Sequence, residues 1–228
     1  MTTRIELTDE LKVELVDYMG KDLTVVNAAK VSLNQHADEF GEKEAGLLSF
    51  LMRNRHASPF EHCQASFLIT APIFVAREWH RHRTQSYNEV SGRYTKLMPK
   101  FYAPGYNRPL LQVGKPGAYH FEIPEDETMY MKAHSRFRFS AQTCWNEYEE
   151  MLEEGYAKEV ARMVLPGNIY TGWYATGNLR NWCGFMSLRT DEQAMFEIRQ
   201  LAFQVEDHLN NLFPATIAEW QKNGRAHI

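Results

Sequence analysis

A chain of 228 residues, 44% hydrophobic and 24% charged, has the length and composition of one ordinary globular domain, and a single domain over 1–228 is expected. A formal net charge of −4 gives no overall field for recruiting nucleic acid, so any anion site must come from a local concentration of basic residues. No apolar run reaches the roughly 18 residues of a membrane-spanning helix, and the polar start MTTRIELTDE lacks the apolar stretch of a signal peptide, so a cytoplasmic protein with no membrane partner is expected.

Residues 11–18, LKVELVDY, alternate apolar and charged positions before Gly20, which predicts a strand with one buried face. Asp22 is placed to cap a helix over the following LTVVNAAKVSL. From Glu42, EKEAGLLSFLMRNRH sets Leu47, Phe50 and Leu51 at helical spacing, and Arg53, Arg55 and His56 suit the negative end of a helix dipole. Pro59 marks a turn, residues 65–70 read as a strand, and Pro72 suits the first turn of a helix over IFVAREWHRHR. At about 100° per residue, Glu78 and Arg81 share one side of that helix while Arg83 lies about 200° beyond Arg81, so the two arginines would face apart.

Ser86, Asn88, Ser91 and Gly92 then read as turn formers, and residues 99–124, with five prolines, as an irregular excursion. A long helix follows from Pro124 to Gly155, its stripe formed by Phe137, Ala141, Cys144 or Trp145, Tyr148, and Met151 or Leu152. A short helix AKEVARMVL ends at Pro166, residues 169–176 read as a strand, and residues 178–188 as a helix. Thr190 and Gln193 have the spacing of a capping box for a last helix that buries Ala194, Ile198, Leu201, Val205, Leu209 and Leu212. The sum is an α/β (α+β) fold, helix-rich around a small mixed or antiparallel sheet.

Residues 77–94, REWHRHRTQSYNEVSGRY, set four arginines against two glutamates beside an Asn/Ser/Gly turn. Guanidinium forks match phosphate and carboxylate oxygens two at a time, so the stretch points to an anionic ligand, although arginine runs also form solvated helix faces. A metal is not expected. His80 and His82, two apart, do not share a helix face, and neither they with Glu78 nor His56, Glu61, His62 and Cys63 form an HExxH spacing. Cys63, Cys144 and Cys183 are odd in number, widely spaced and without a CxxC pair, which excludes a disulfide framework. None has a basic or glycine-rich setting that would activate it as a nucleophile. Neither GxGxxG nor GxxxxGK[ST] occurs. Two readings of other classes stand beside the anion site: an RNA-binding module using these arginines with Tyr87 and Tyr94 as stacking platforms, and a metal-dependent hydrolase.

Arg81-His82-Arg83 followed after seven residues by Ser91 resembles the RHRx7S signature of the flavin-dependent thymidylate synthases. RHASPFEH at 55–62, APIFVAREW at 71–79, ARMVLPGNIYT at 161–171 and NLRNWCGFMSLR at 178–189 resemble further blocks of that family. The resemblance implies that family's fold and the reductive methylation of dUMP to dTMP, with methylenetetrahydrofolate giving the carbon and NADPH-reduced FAD the hydride, without a cysteine nucleophile. It also implies a homotetramer whose active sites combine residues of several subunits. By similarity, His56, Ser58, Arg81, His82, Arg83, Glu89, Asn178, Arg180 and Gly184 belong to the flavin site. Glu78, Trp79, His80, Arg81, Glu89, Val90, Ser91, Gly92, Arg93, Arg162 and Arg189 belong to the nucleotide, with Arg93 and Arg162 at its phosphate and Arg189 polarising the uracil ring. Glu78 and Gly184 depart from the residues the family commonly shows, a glutamine and an asparagine or histidine.

Overall fold

A computed structural model describes residues 3–228. In chain order it has β1 (Glu6–Thr8), β2 (Lys12–Met19), α1 (Asp22–Lys30), α2 (Glu42–Arg53), β3 (Gln64–Pro72), α3 (Ile73–Trp79), β4 (Ser86–Glu89), β5 (Lys100–Tyr102), β6 (Leu111–Lys115) and β7 (Ala118–Glu122). After these come α4 (Thr128–Glu153), α5 (Lys158–Ala161), β8 (Tyr170–Asn178), α6 (Leu179–Arg189), α7 (Phe196–Leu212) and α8 (Pro214–Lys222). Four strands form a sheet in the order β2-β3-β8-β4; β1 pairs in parallel with β5, and β6 with β7 antiparallel. This is the mixed α/β fold that the sequence predicts. The chain folds into two compact units, each assembled from three stretches: one holds the residues up to Leu11 with 70–78 and 89–172, the other 12–69, 79–88 and 173–228.

In the first unit α4 supplies the core. Ala141, Trp145 and Tyr148 recur at helical spacing and bury against Ile5, Phe101, Ala161 and Ile169, with Met151 and Leu152 at the margin. Phe137, expected in that stripe, is 39% exposed, so the stripe packed on this core starts one turn later, at Ala141, with Tyr130 buried separately near the start of the helix. Nor is 99–124 irregular. It holds β5 and the β6–β7 hairpin, which uses Gly114 at φ +105° within β6 and Gly117 at φ +85° in the turn. A Cβ on Gly114 would come 2.4 Å from the Ala118 carbonyl oxygen. Every residue of β7 is exposed, so no buried face imposes a period on the sequence.

The second unit departs from expectation at its helix ends. Asp22 does not cap its own helix. Its carboxylate accepts from the backbone N–H of Ala215 at 3.0 Å and of Thr216 at 2.9 Å, and from the Thr216 hydroxyl at 2.6 Å, so it caps α8 from nearly 200 residues away. Helix α8 has no counterpart in the sequence reading, although Pro214 stands at its first turn. Helix α2 buries Leu48, Leu51 and Met52, while Phe50 is 45% exposed. It ends in a turn where Arg55 adopts φ +54° and the His56 N–H returns to the Leu51 carbonyl at 2.9 Å. Pro72 closes β3, and α3 stops at Trp79, where the Trp79 indole turns inward and donates to Gln85 Oε1 at 3.1 Å. The opposed-face relation of Arg81 and Arg83 therefore loses its basis, since neither lies on a helix. Ser86 and Asn88, expected in a turn, belong to β4. Thr190 ends α6, its hydroxyl donating to the Met186 carbonyl, and α7 begins only at Phe196. Ile198, Leu201, Val205 and Leu209 of α7 are buried as predicted.

Candidate functional site

Helix α6 organises the polar residues of the second unit because each of its faces holds a different partner. Asn178 starts it, its side chain accepting from the Asn181 N–H at 2.9 Å. Leu179, Trp182, Cys183 and Met186 are buried in the core. Asn181, Phe185 and Arg189, spaced four apart, share a second face directed at the loop after α3. Asn181 Nδ2 donates to the Thr84 carbonyl at 2.8 Å, the Phe185 ring centroid is 4.9 Å from that of His82, and Arg189 Nε donates to His82 Nε2 at 2.9 Å. On a third face Arg180 Nη1 meets Glu61 Oε1 at 2.5 Å, and Gly184 follows one turn later.

The Arg189–His82 bond fixes a protonation state. An imidazole nitrogen that accepts from a guanidinium must be unprotonated, so His82 is neutral with its proton on Nδ1. Burial, and after it the Arg189 charge, push its pKa down to about 4. The loop that carries His82 is braced by the Tyr87 hydroxyl, which donates to the His82 carbonyl at 2.7 Å. His80 lies against the Tyr87 ring at 4.5 Å and edge-on to Trp173. Arg81 and Arg83 are exposed. The Trp79 side chain is fully buried among Trp173, Trp182 and Phe185, so only its backbone can meet a ligand.

A cavity of about 540 Å³ in the same unit is lined by Ala28, Ala29, Lys30, Ser32, Leu33, Leu47, Leu51, His56, Ser58 and Pro59. Its size and its mixture of apolar wall and hydroxyl groups lie in the range of small-ligand sites. Lys30 forms a buried pair with Glu44 at 2.5 Å, and that contact holds the Glu44 carboxyl below its usual range. Sequence reasoning found His56 and Ser58 but not Ala29, Ser32 or Leu33, which carry no motif. Their one sequence signal is the small-residue pair Ala28-Ala29 on α1.

The first unit holds a different arrangement around the turn after β4. Tyr94 and Thr95 both donate their N–H to the Ser91 carbonyl at 3.1 Å, and Ser91 Oγ accepts from the Arg93 N–H at 3.3 Å. Gly92 is buried beneath Arg162: a Cβ there would lie 3.1 Å from Arg162 Cδ. Arg93 Nε pairs with Glu159 at 2.8 Å, with both side chains about half exposed. The side chains of two arginines thus adjoin one turn, a setting in which an anion can be bound. Glu89 Oε1 accepts from the Thr171 hydroxyl at 2.8 Å, and the exposed Val90 donates its N–H to Gly172. Glu78 is half-buried at the end of α3.

Residues 14–215 match the family described as thymidylate synthase complementing protein. The chain belongs to the flavin-dependent thymidylate synthase family. It is 42% identical over 227 residues to a flavin-dependent thymidylate synthase of Tropheryma whipplei (strain TW08/27), covering 95% of this chain and 94% of that one. It is 41% identical over 237 residues to one of Streptomyces coelicolor, covering 97% and 95%. The fold superposes with a TM-score of 0.93 on the UMP/dUMP methylase PolB from Streptomyces cacaoi bound with 5-Br UMP, at 38% identity over 99% of this chain and all of that one. These relatives support neither an RNA-binding module nor a metal-dependent hydrolase.

The residues present fit the flavin that the family's name implies. The cavity beside His56 and Ser58 offers apolar walls with hydroxyl and imidazole groups, and Arg180 and His82 bring a cation and a neutral ring to α6. Two of the three cysteines are unfit to act as nucleophiles. Cys63 and Cys183 are fully buried; burial pushes the Cys63 thiol up to about 11 and the Cys183 thiol higher still.

Proposed function

We propose that the protein catalyses the reductive methylation of dUMP to dTMP, with 5,10-methylenetetrahydrofolate as carbon donor and NADPH as the reductant of a bound FAD. The observation that carries this reading is the Arg189–His82 bond, which holds a guanidinium at a fixed place on the loop bearing the RHRx7S signature. Reduced flavin supplies the hydride for the methyl group. The remaining roles belong to the chain. Arg189, held by a neutral acceptor, keeps its full positive charge and can stabilise negative charge that develops on the uracil ring. Arg93 and Arg162 adjoin the turn at Ser91 and Gly92, where the glycine lets the Arg162 side chain pack close to the backbone, and both serve the phosphate. His56, Ser58, Asn178 and Arg180 serve the flavin, with Arg81, His82 and Arg83 beside them. With the buried thiols at high pKa, polarisation of uracil by Arg189 takes the place of cysteine attack. We further infer a cytoplasmic homotetramer whose active sites draw residues from several subunits.

Titration of the purified protein with FAD, followed by its visible absorption and by dTMP formation from dUMP, methylenetetrahydrofolate and NADPH, tests the reading. Bound flavin that is bleached by NADPH and reoxidised as dTMP appears is the expected result. A protein that neither takes up FAD nor makes dTMP overturns it.

A further inference from the structure

Gly184 lies buried in the middle of α6, and a Cβ built there would be 2.6 Å from both Cδ2 and Nε2 of His227. No residue with a side chain fits without moving that ring, so the imidazole occupies the space that a side chain borne by the helix would fill. Glycine inside a helix costs about 1 kcal/mol relative to alanine, so the close approach comes at the expense of α6 itself. His227 belongs to residues 223–228, which turn back from α8 through Gly224 at φ +74° and Arg225 at φ +55°. The segment is anchored at several points. Arg225 grips Glu206 with two bonds of 2.6 and 2.7 Å, the Ala226 carbonyl accepts from Trp220 Nε1 at 3.1 Å, and Ile228 is 5% exposed, its carbonyl accepting from Arg180 Nε at 3.4 Å. His227, between the last two anchors, remains exposed.

A ring needed only as filler would be buried with its neighbour Ile228 and would be apolar. Instead a polar ring lies at the surface against Gly184, one helical turn from Arg180. We propose that His227 is a flavin-binding residue, delivered to the α6 face of the site through the gap that Gly184 leaves. Its ring nitrogen can exchange a hydrogen bond with the polar edge of a flavin ring system while Arg180 meets an anionic or carbonyl group of the same ligand. This rests on the flavin reading given above.

The test is FAD affinity measured by quenching of flavin fluorescence, together with the position of the bound flavin's absorption bands and the melting temperature. His227→Ala is expected to weaken FAD binding about tenfold, the loss of one net hydrogen bond, and to shift the bound spectrum with little change in melting. The double variant Gly184→His with His227→Ala, which moves the imidazole onto the helix, is expected to restore most of that affinity. Should His227→Ala melt early, His227→Phe fills the same gap without a polar atom, and the same loss of FAD in a normally melting protein supports the proposal. Wild-type protein that binds FAD while His227→Ala and His227→Phe bind it equally well overturns this inference alone. Wild-type protein that takes up no FAD overturns the flavin reading and this inference with it.

Discussion

The α6 region of the second unit and the turn after β4 in the first hold their arginines in different ways. Arg189 and Arg180 end up bonded to His82 and Glu61 through contacts built on a helix whose other side is core. Arg93 pairs with Glu159 in a half-exposed contact, and Arg162 lies over a glycine on a three-residue 3₁₀ turn. An exposed ion pair contributes about 0–1 kcal/mol, so Arg93 can exchange its carboxylate for an incoming phosphate at little cost. A cation held by a neutral imidazole keeps its charge and its position before any ligand arrives. The first arrangement suits charge that develops during reaction, the second the capture of charge already present.

Substitutions should separate the two. Arg189→Ala is expected to lower dTMP formation by about 10²–10³-fold while FAD affinity stays near that of the wild type, because it removes a preorganised cation and leaves His56, Ser58, Asn178 and Arg180, the residues proposed to serve the flavin, unaltered. Unchanged turnover would break the distinction at its stronger end. Arg162→Ala should raise the KM for dUMP by about tenfold or more with a smaller change in kcat, as expected for loss of a charge-assisted contact to phosphate.

Acid should act on the α6 region through His82. His82 has its pKa depressed to about 4 from an ordinary 6.5, so between those values the unfolded chain binds a proton that the folded chain does not. Its contribution to stability is full above about pH 6.5 and is lost as the pH falls toward 4. Melting temperature plotted against pH should therefore fall more steeply over that window for the wild type than for His82→Gln, and parallel curves would show that His82 is protonated in the fold. Smallest of all, Glu159→Ala should change stability by less than about 1 kcal/mol in urea unfolding, since its pair with Arg93 is exposed.

The sequence showed the α6 region better than it showed the scaffold. Asn178, Arg180 and Arg189 could be placed on one helix because its spacing is legible over residues 178–188. The end of α3 could not, because what stops that helix is a tertiary contact: the Trp79 indole turns inward to Gln85 instead of lengthening the amphipathic face. Asp22 has the chemistry of a cap, and the reading erred only about which helix it serves, a fact that local pattern cannot hold. Residues 111–122 failed for the opposite reason. An exposed hairpin has no buried face to write an alternation into its residues. His227 carried no signal at all, since its place depends on an absent side chain 43 positions earlier.

The bond from Asp22 to the start of α8 also bears on how the chain acquires its structure. It closes a loop of nearly two hundred residues, and contacts of such separation carry a large closure entropy and form slowly. On the ribosome, α1 emerges early but its carboxylate has no partner until Thr216 has been made. The cap of α8 in the second unit is thus a late contact, formed only after both ends of that long loop have been made.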